Sequence, residues 1–250
     1  MKINKDRPVG RVLYIVEGSS TEFNLLRKIF CNILGFEYIE KRRNRPSVFY
    51  KENNSRSTIA VVNTSDSNIK DISDDEYLDD LFQMLIDDYH FPVDKASIYY
   101  LFDRDPESNK DVAAIRKYID TLRDPMDNDD GMKAGLLLLS YPCIESYIIS
   151  SFQKKSYSIE IGIGSQTKKY IGQNNEIQMN KISAETLLFA TQEFLAYLDG
   201  MHLSWDIYDF AETSREIFEL QEAKYTSSGV YNLFSMLTLS FIQLGIIEIS

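Results

Sequence analysis

Two segments, VLYIVEG (Val12–Gly18) and SIYYLFDRD (Ser97–Asp105), decide the fold of this chain. Each is an apolar run rich in β-branched and aromatic residues, as expected for a parallel strand that is buried on both faces. Each run also stops abruptly at carboxylates, and in open α/β sheets the functional crevice lies at the carboxyl ends of the strands. We therefore expect Glu17, Asp103 and Asp105 to converge on one rim of the sheet, where they would favour a hard cation such as Mg²⁺ or Mn²⁺.

Further strands and helices alternate with these two segments between residues 11 and 152. Apolar runs predict strands at 59–62 and 134–139. Apolar residues at helical spacing predict helices at 23–34, about 74–89, 112–122 and, with Pro142 as first residue, 142–152. This alternation predicts an α/β fold, a Rossmann-like and mainly parallel sheet flanked by helices.

The composition changes after residue 155. Helical patterns at about 183–199, 204–221 and 229–246 predict a mainly helical C-terminal region, 156–250, appended to a catalytic domain at 1–155. The last pattern is apolar on nearly all sides and offers more surface than one face can bury. This appendage is expected to support homo-oligomerisation or partner docking, and the alternative is that it completes the core of a single domain.

The composition narrows the class of protein. No apolar stretch reaches the length of a membrane span, and the polar N-terminus does not resemble a signal peptide. Cys31 and Cys143 both lie in apolar surroundings, which favours buried free thiols and a reducing, cytoplasmic location. His90 and His202 are too few and too scattered for a zinc site.

The charge is distributed unevenly along the chain. The formal net charge is −11, but residues 1–56 contain 12 Lys and Arg against 6 Asp and Glu. Four of these cations are concentrated between residues 41 and 45, inside a basic insertion at 37–56 that is expected to form a polar hairpin or loop: Lys41, Arg42, Arg43 and Arg45. We expect these four to contact nucleic-acid phosphates, and the alternative is an ordinary solvated charge run.

The acidic strand ends resemble the Toprim domain, which has a glutamate followed by glycine after its first strand and an Asp-x-Asp after a later one. Glu17-Gly18 and Asp103-Arg104-Asp105 match this pattern. The chain is most similar to the OLD-like and RloB-like Toprim nucleases of bacterial defence, whose VEG-x-x-[ST]-E motif matches Val16–Glu22. The N-P-C-x-E motif of the RloB-like chains is matched by Tyr141–Glu145, with tyrosine in place of asparagine. The resemblance covers roughly residues 1–155.

The resemblance implies a nuclease that depends on Mg²⁺ or Mn²⁺ and cuts DNA or RNA, including tRNA, in anti-phage defence. It implies that four residues are catalytic and bind one or two metal ions: Glu17, Asp103, Asp105 and Glu145. It also implies an ABC-type ATPase as a partner protein. The alternative is a non-catalytic scaffold that keeps the fold and docks on that ATPase.

Two other carboxylates, Glu22 and Asp66, lie near the predicted crevice or its motifs, and one motif of ATP-binding proteins is missing from the sequence. Glu22 fits a capping box with Ser19, which explains it without chemistry. Asp66 follows the second predicted strand and is expected to border the same crevice. The chain has no P-loop, the glycine-rich motif with its phosphate-binding lysine, which argues against ATP hydrolysis.

Overall fold

The computed structural model describes residues 1–18, 20–39, 47–51, 54–63, 83, 86–87, 95–126 and 135–249. Strands of the described residues are β1 (Lys2–Ile3), β2 (Gly10–Val16), β3 (Glu37–Ile39), β4 (Ser47–Lys51), β5 (Asn54–Asn63), β6 (Ala96–Asp103), β7 (Leu136–Tyr141), β8 (Glu160–Ile161), β9 (Tyr231–Asn232), β10 (Phe234–Ser235) and β11 (Ile247–Glu248). Outside these ranges lie Ser19, Asp66, His90, the four cations of the basic insertion and most of the helix predicted at 74–89.

Seven strands form one mixed sheet in the order β10-β7-β6-β2-β5-β4-β3. Strand β2 lies near the middle and pairs in parallel with both β5 and β6, so that Val16 is opposite Asn63 on one side and Leu101 on the other. The apolar runs form these strands because both faces are covered, and Val12 to Ile15 are fully buried. The predicted α/β fold, with a largely parallel central sheet flanked by helices, is confirmed.

The helices that we number here are α1 (Thr21–Arg27), α2 (Val112–Thr121), α3 (Glu145–Ser150), α4 (Gly164–Gln173), α5 (Ala184–Gly200), α6 (Ala211–Ser228) and α7 (Leu237–Gln243). A π-helical segment, Lys28–Ile33, continues α1, and Gly35 ends it with a positive φ of 75°. The helix predicted to begin at Pro142 begins instead at Glu145, and the backbone N–H of Ile144, just before it, donates to Asp103 Oδ1 at 2.8 Å.

The C-terminal region is less purely helical than the sequence predicts. The helix predicted at 229–246 is wrong over nearly its first half: Gly229, at φ 72°, ends α6, the chain then extends into β9 and β10, and α7 begins only at Leu237. Strand β10 pairs antiparallel with β7, with Phe234 opposite Tyr141. Part of the predicted appendage therefore belongs to the central sheet.

The chain divides into two compact units. The N-terminal unit comprises residues 8–101 and 113–137, and the C-terminal unit comprises 1–7, 102–112 and 138–250. The domain boundary predicted at residue 155 lies within the C-terminal unit and stays a prediction. No helix among the described residues has both the length and the apolar character needed to cross a membrane.

The N-terminal unit contains the predicted hairpin. Strands β3 and β4 pair antiparallel, as do β4 and β5. The ring of Phe49 on β4 is fully buried, and its centroid lies 5.4 Å from that of Tyr38 and 5.8 Å from that of Phe30. Strands β3 and β4, which flank Lys41–Arg45 in the sequence, are thus joined by an aromatic cluster to the helical segment Lys28–Ile33.

Candidate metal centre

The candidate centre lies in the C-terminal unit, where two strands end side by side. Asp103 is the last residue of β6, and the next backbone N–H, of Arg104, donates to the carbonyl of Ser140 near the end of β7 at 2.9 Å. After β7 the chain passes through a cis Tyr141–Pro142 peptide bond to Cys143 and into α3, whose first residue is Glu145. Two carboxylates that are 42 positions apart in the sequence thus reach the same end of the sheet.

Three side chains meet at this point: Asp103, Cys143 and Glu145. Their ligand atoms all lie within 4.8 Å of one another. One oxygen of Asp103 (Oδ1) accepts a hydrogen bond of 2.8 Å from the backbone N–H of Ile144, which fixes its orientation. Glu145 and Cys143 are buried, and Asp103 is partly exposed. The structure therefore brings together two of the four predicted acidic ligands, with a thiol beside them.

The Cys143 thiol is a neutral group in this cluster. Burial raises the pKa of Cys143 well above its usual value, and the neighbouring carboxylates of Asp103 and Glu145 raise it further. The thiol is a soft donor, whereas the two carboxylates are the hard donors that Mg²⁺ and Mn²⁺ prefer.

We expect iodoacetamide to modify Cys31 before Cys143, because Cys31 is only half-buried and the thiolate is the reactive form. The raised pKa keeps Cys143 protonated, so between pH 8.5 and 9.5 its alkylation rate should rise more steeply than that of an ordinary thiol, whose pKa is about 8.5. A time course followed by mass spectrometry between pH 7 and 9.5 measures both sites. Equal rates at the two cysteines across this range would contradict the buried, protonated thiol.

Asp105 lies on the same loop, but both of its carboxylate oxygens accept hydrogen bonds from backbone N–H groups. One of its oxygens (Oδ2) accepts from the N–H of Gly164 at 3.1 Å, and the other (Oδ1) accepts from the N–H of Glu107 at 3.1 Å. A Cβ at Gly164 would come within 2.6 Å of Oδ2, so glycine is required for this approach. Asp105 thereby ties the loop after β6 to the start of α4, and it is not among the three clustered ligands.

A lysine that the sequence analysis did not single out joins the centre from α4. The Lys168 Nζ lies 3.8 Å from the Glu145 carboxylate, and two-thirds of its side chain is exposed. The sequence analysis assigned the region after residue 155 to an appendage and gave this lysine no role. The signal that could have revealed it is the pairing of two glycines with two lysines in IGIGSQTKK (Ile161–Lys169).

The middle residue of the Asp-x-Asp motif was also missed. Arg104 is almost fully buried and pairs through two nitrogens with Glu222 on α6, Nε with Oε1 at 2.7 Å and Nη2 with Oε2 at 2.8 Å. In an extended segment alternate residues point in opposite directions, so Arg104 faces away from Asp103 and Asp105. That alternation was visible in the sequence, but the partner, 118 residues away, was not.

Glu17 and Glu22 lie in the N-terminal unit. Glu17 is buried, and its backbone N–H donates to the carbonyl of Leu101 at 3.2 Å. The convergence of Glu17 with the two aspartates on one ion stays a prediction. A Cβ at position 18 would clash with the Glu22 carboxylate, so a larger residue there would require the Glu22 side chain to move.

Helix α1 begins at Thr21, with Ser20 at its N-cap and without a side-chain capping bond from Ser20. The capping box predicted for Glu22 pairs it with Ser19, which lies outside the described residues, so it stays a prediction. Glu22 is buried against the turn after β2.

Comparisons of the chain with known protein families, curated proteins and solved structures gave no match. The function proposed below therefore rests on the residues of this chain, on their geometry and on the motifs that they form.

Proposed function

We propose that this protein is a metal-dependent nuclease that hydrolyses phosphodiester bonds in DNA or RNA. The observation that carries the proposal is the meeting of the Asp103 and Glu145 carboxylates, within 4.8 Å, at the end of β6 and β7. Ligands of open α/β sheets bind at the carboxyl ends of their strands. The two residues also occupy the acidic positions of the motifs that resemble Toprim nucleases.

The donor atoms at this centre fit a hard divalent cation. Asp103 and Glu145 supply carboxylate oxygens, the ligands that Mg²⁺ and Mn²⁺ prefer. The protonated Cys143 thiol is a poor ligand for Mg²⁺. A bound cation of this kind lowers the pKa of a water ligand and stabilises charge on phosphoryl oxygens.

The protein side chains take distinct roles in the proposed reaction. Asp103 and Glu145 hold the cation, and Asp105 holds the loop against α4. Lys168 contacts a non-bridging phosphate oxygen of the substrate, since its charge lies beside the centre on an exposed side chain. Glu17 is a further ligand or the general base in a one-metal scheme.

The basic insertion is proposed as the part that grips the nucleic-acid backbone. Replacing Lys41, Arg42, Arg43 and Arg45 together with alanine should weaken binding broadly across sequences. Each lost phosphate contact should reduce the slope of log affinity against log salt by about 0.9 on B-DNA. Fluorescence anisotropy over a salt series measures this slope.

The control for this measurement replaces three exposed lysines elsewhere, Lys95, Lys110 and Lys117, with alanine. This control should keep most of the salt dependence. An unchanged slope in the insertion variant would support the alternative of an ordinary solvated charge run.

Incubation with plasmid DNA and with total tRNA, each with Mg²⁺, Mn²⁺ or a chelator, tests the proposed activity. We expect cleavage of one substrate class with a metal and none with the chelator. Metal-independent cleavage would contradict the proposal. No cleavage of either substrate would favour the non-catalytic scaffold, for which an ABC-type ATPase in anti-phage defence is the partner that the resemblance suggests.

A further inference from the structure

A buried network of hydrogen bonds and one ion pair connects the loop after β6 to helix α6, more than 100 residues away in the sequence. The Arg104 side chain is only 2% exposed. Its guanidinium forms the bidentate ion pair with Glu222 on α6. Its remaining terminal nitrogen (Nη1) donates to the backbone carbonyl of Asn109 at 2.9 Å. A single guanidinium thus joins α6 to the end of the loop that begins at Asp103.

Asn109 passes this restraint on to Asp103. Its side-chain amide donates to the backbone carbonyl of Asp103 at 2.6 Å, and its backbone N–H donates to the carbonyl of Asp105 at 2.8 Å. Asn109 itself is only 1% exposed. The connected path from Glu222 through Arg104 and Asn109 therefore fixes the backbone that presents the Asp103 carboxylate.

The Glu222 carboxylate is itself held in place. The Tyr231 hydroxyl lies 3.3 Å from its Oε1, and the Tyr231 ring lies 5.7 Å from the Arg104 guanidinium carbon. The Tyr231 ring also packs 5.7 Å from the ring of Tyr141, which gives a packing role to the tyrosine that departs from the N-P-C-x-E pattern. Fork-to-fork Arg–carboxylate pairs add geometric specificity as well as energy.

We infer that Glu222 is a positioning residue of the metal centre, acting on Asp103 through Arg104 and Asn109. The inference rests on the function proposed above, because it needs a cation at Asp103 and Glu145. Groups that orient metal ligands without touching the metal commonly change metal affinity by about 10- to 100-fold when they are removed. Sequence analysis assigned Glu222 to an appendage without a part in the chemistry.

The test must separate positioning from stability, since a buried ion pair contributes to both. The double variant Arg104→Met/Glu222→Leu replaces the pair with apolar groups of similar size, which commonly preserves stability. Glu222→Gln keeps an acceptor for the guanidinium and serves as a second variant. Glu216→Gln, at an exposed position on the same helix, is the matched control.

Calorimetric titration of the full-length chain with Mn²⁺, beside a thermal melt of each variant, is the experiment. We expect the wild type and Glu216→Gln to bind Mn²⁺ equally, and both Glu222 variants to bind at least about tenfold more weakly at temperatures where they are folded. If either Glu222 variant is folded and binds Mn²⁺ with wild-type affinity, the positioning role of Glu222 is wrong, while the proposed metal centre stands. A wild type that binds no Mn²⁺ would overturn the proposed metal centre and the inference with it.

Discussion

Asp103→Asn should abolish metal-dependent cleavage, with a loss of about a thousandfold or more in kcat/KM, or about 4 kcal/mol of transition-state stabilisation. Asparagine keeps an acceptor for the backbone N–H of Ile144, so the loop should stay in place. The substitution removes the negative charge that holds the cation. Single-turnover cleavage at saturating Mg²⁺ or Mn²⁺ measures the loss.

The matched control for this variant is Glu107→Gln. Glu107 is exposed on the same loop. Its backbone N–H donates to Asp105 Oδ1, and the substitution keeps this hydrogen bond because it changes only the side chain. This control should cleave like the wild type. If Asp103→Asn also cleaves like the wild type at matched metal concentration, Asp103 has no part in catalysis.

Glu222→Ala should lower the free energy of unfolding of the chain by about 3–5 kcal/mol, because it leaves the buried Arg104 charge without its carboxylate. Urea denaturation followed by circular dichroism measures the change. Glu216→Ala, at an exposed position on α6, should change the free energy of unfolding by less than about 0.5 kcal/mol.

Arg104→Met/Glu222→Leu should recover most of the stability that Glu222→Ala loses, since it removes both charges together. Equal stabilities of Glu222→Ala and the wild type would show that water or another group solvates Arg104. The ion pair would then contribute nothing to the stability of the fold.

The sequence was sufficient for the four adjacent strands β7, β6, β2 and β5 of the sheet, because their signals are local. The apolar runs at β2 and β6 end at carboxylates, and the structure places both runs side by side and in parallel. The same logic correctly placed Asp103 at a strand end and Glu145 at a helix start. Strand periodicity and strand-end composition are properties of a few consecutive residues, so they can be read without knowing the rest of the fold.

The long-range parts of the centre could not be predicted in the same way. Glu222 lies 118 residues from Arg104, and an acidic residue on a helix is otherwise typical of a solvated face. Lys168 lies in a polar segment, and its ion pair with Glu145 depends on the packing of α4 against α3. The helix predicted at 229–246 failed for a related reason, because apolar composition cannot distinguish a buried helix from the buried strands β9 and β10.

Binding of Mn²⁺ to the wild type, to Asp103→Asn and to Glu145→Gln, measured by titration calorimetry, tests the central claim most directly. The account predicts that the wild type binds Mn²⁺, that each substitution weakens binding by at least about tenfold, and that Glu107→Gln binds like the wild type. Wild-type affinity in both site variants, or no binding by the wild type, would contradict the claim that Asp103 and Glu145 hold a divalent cation.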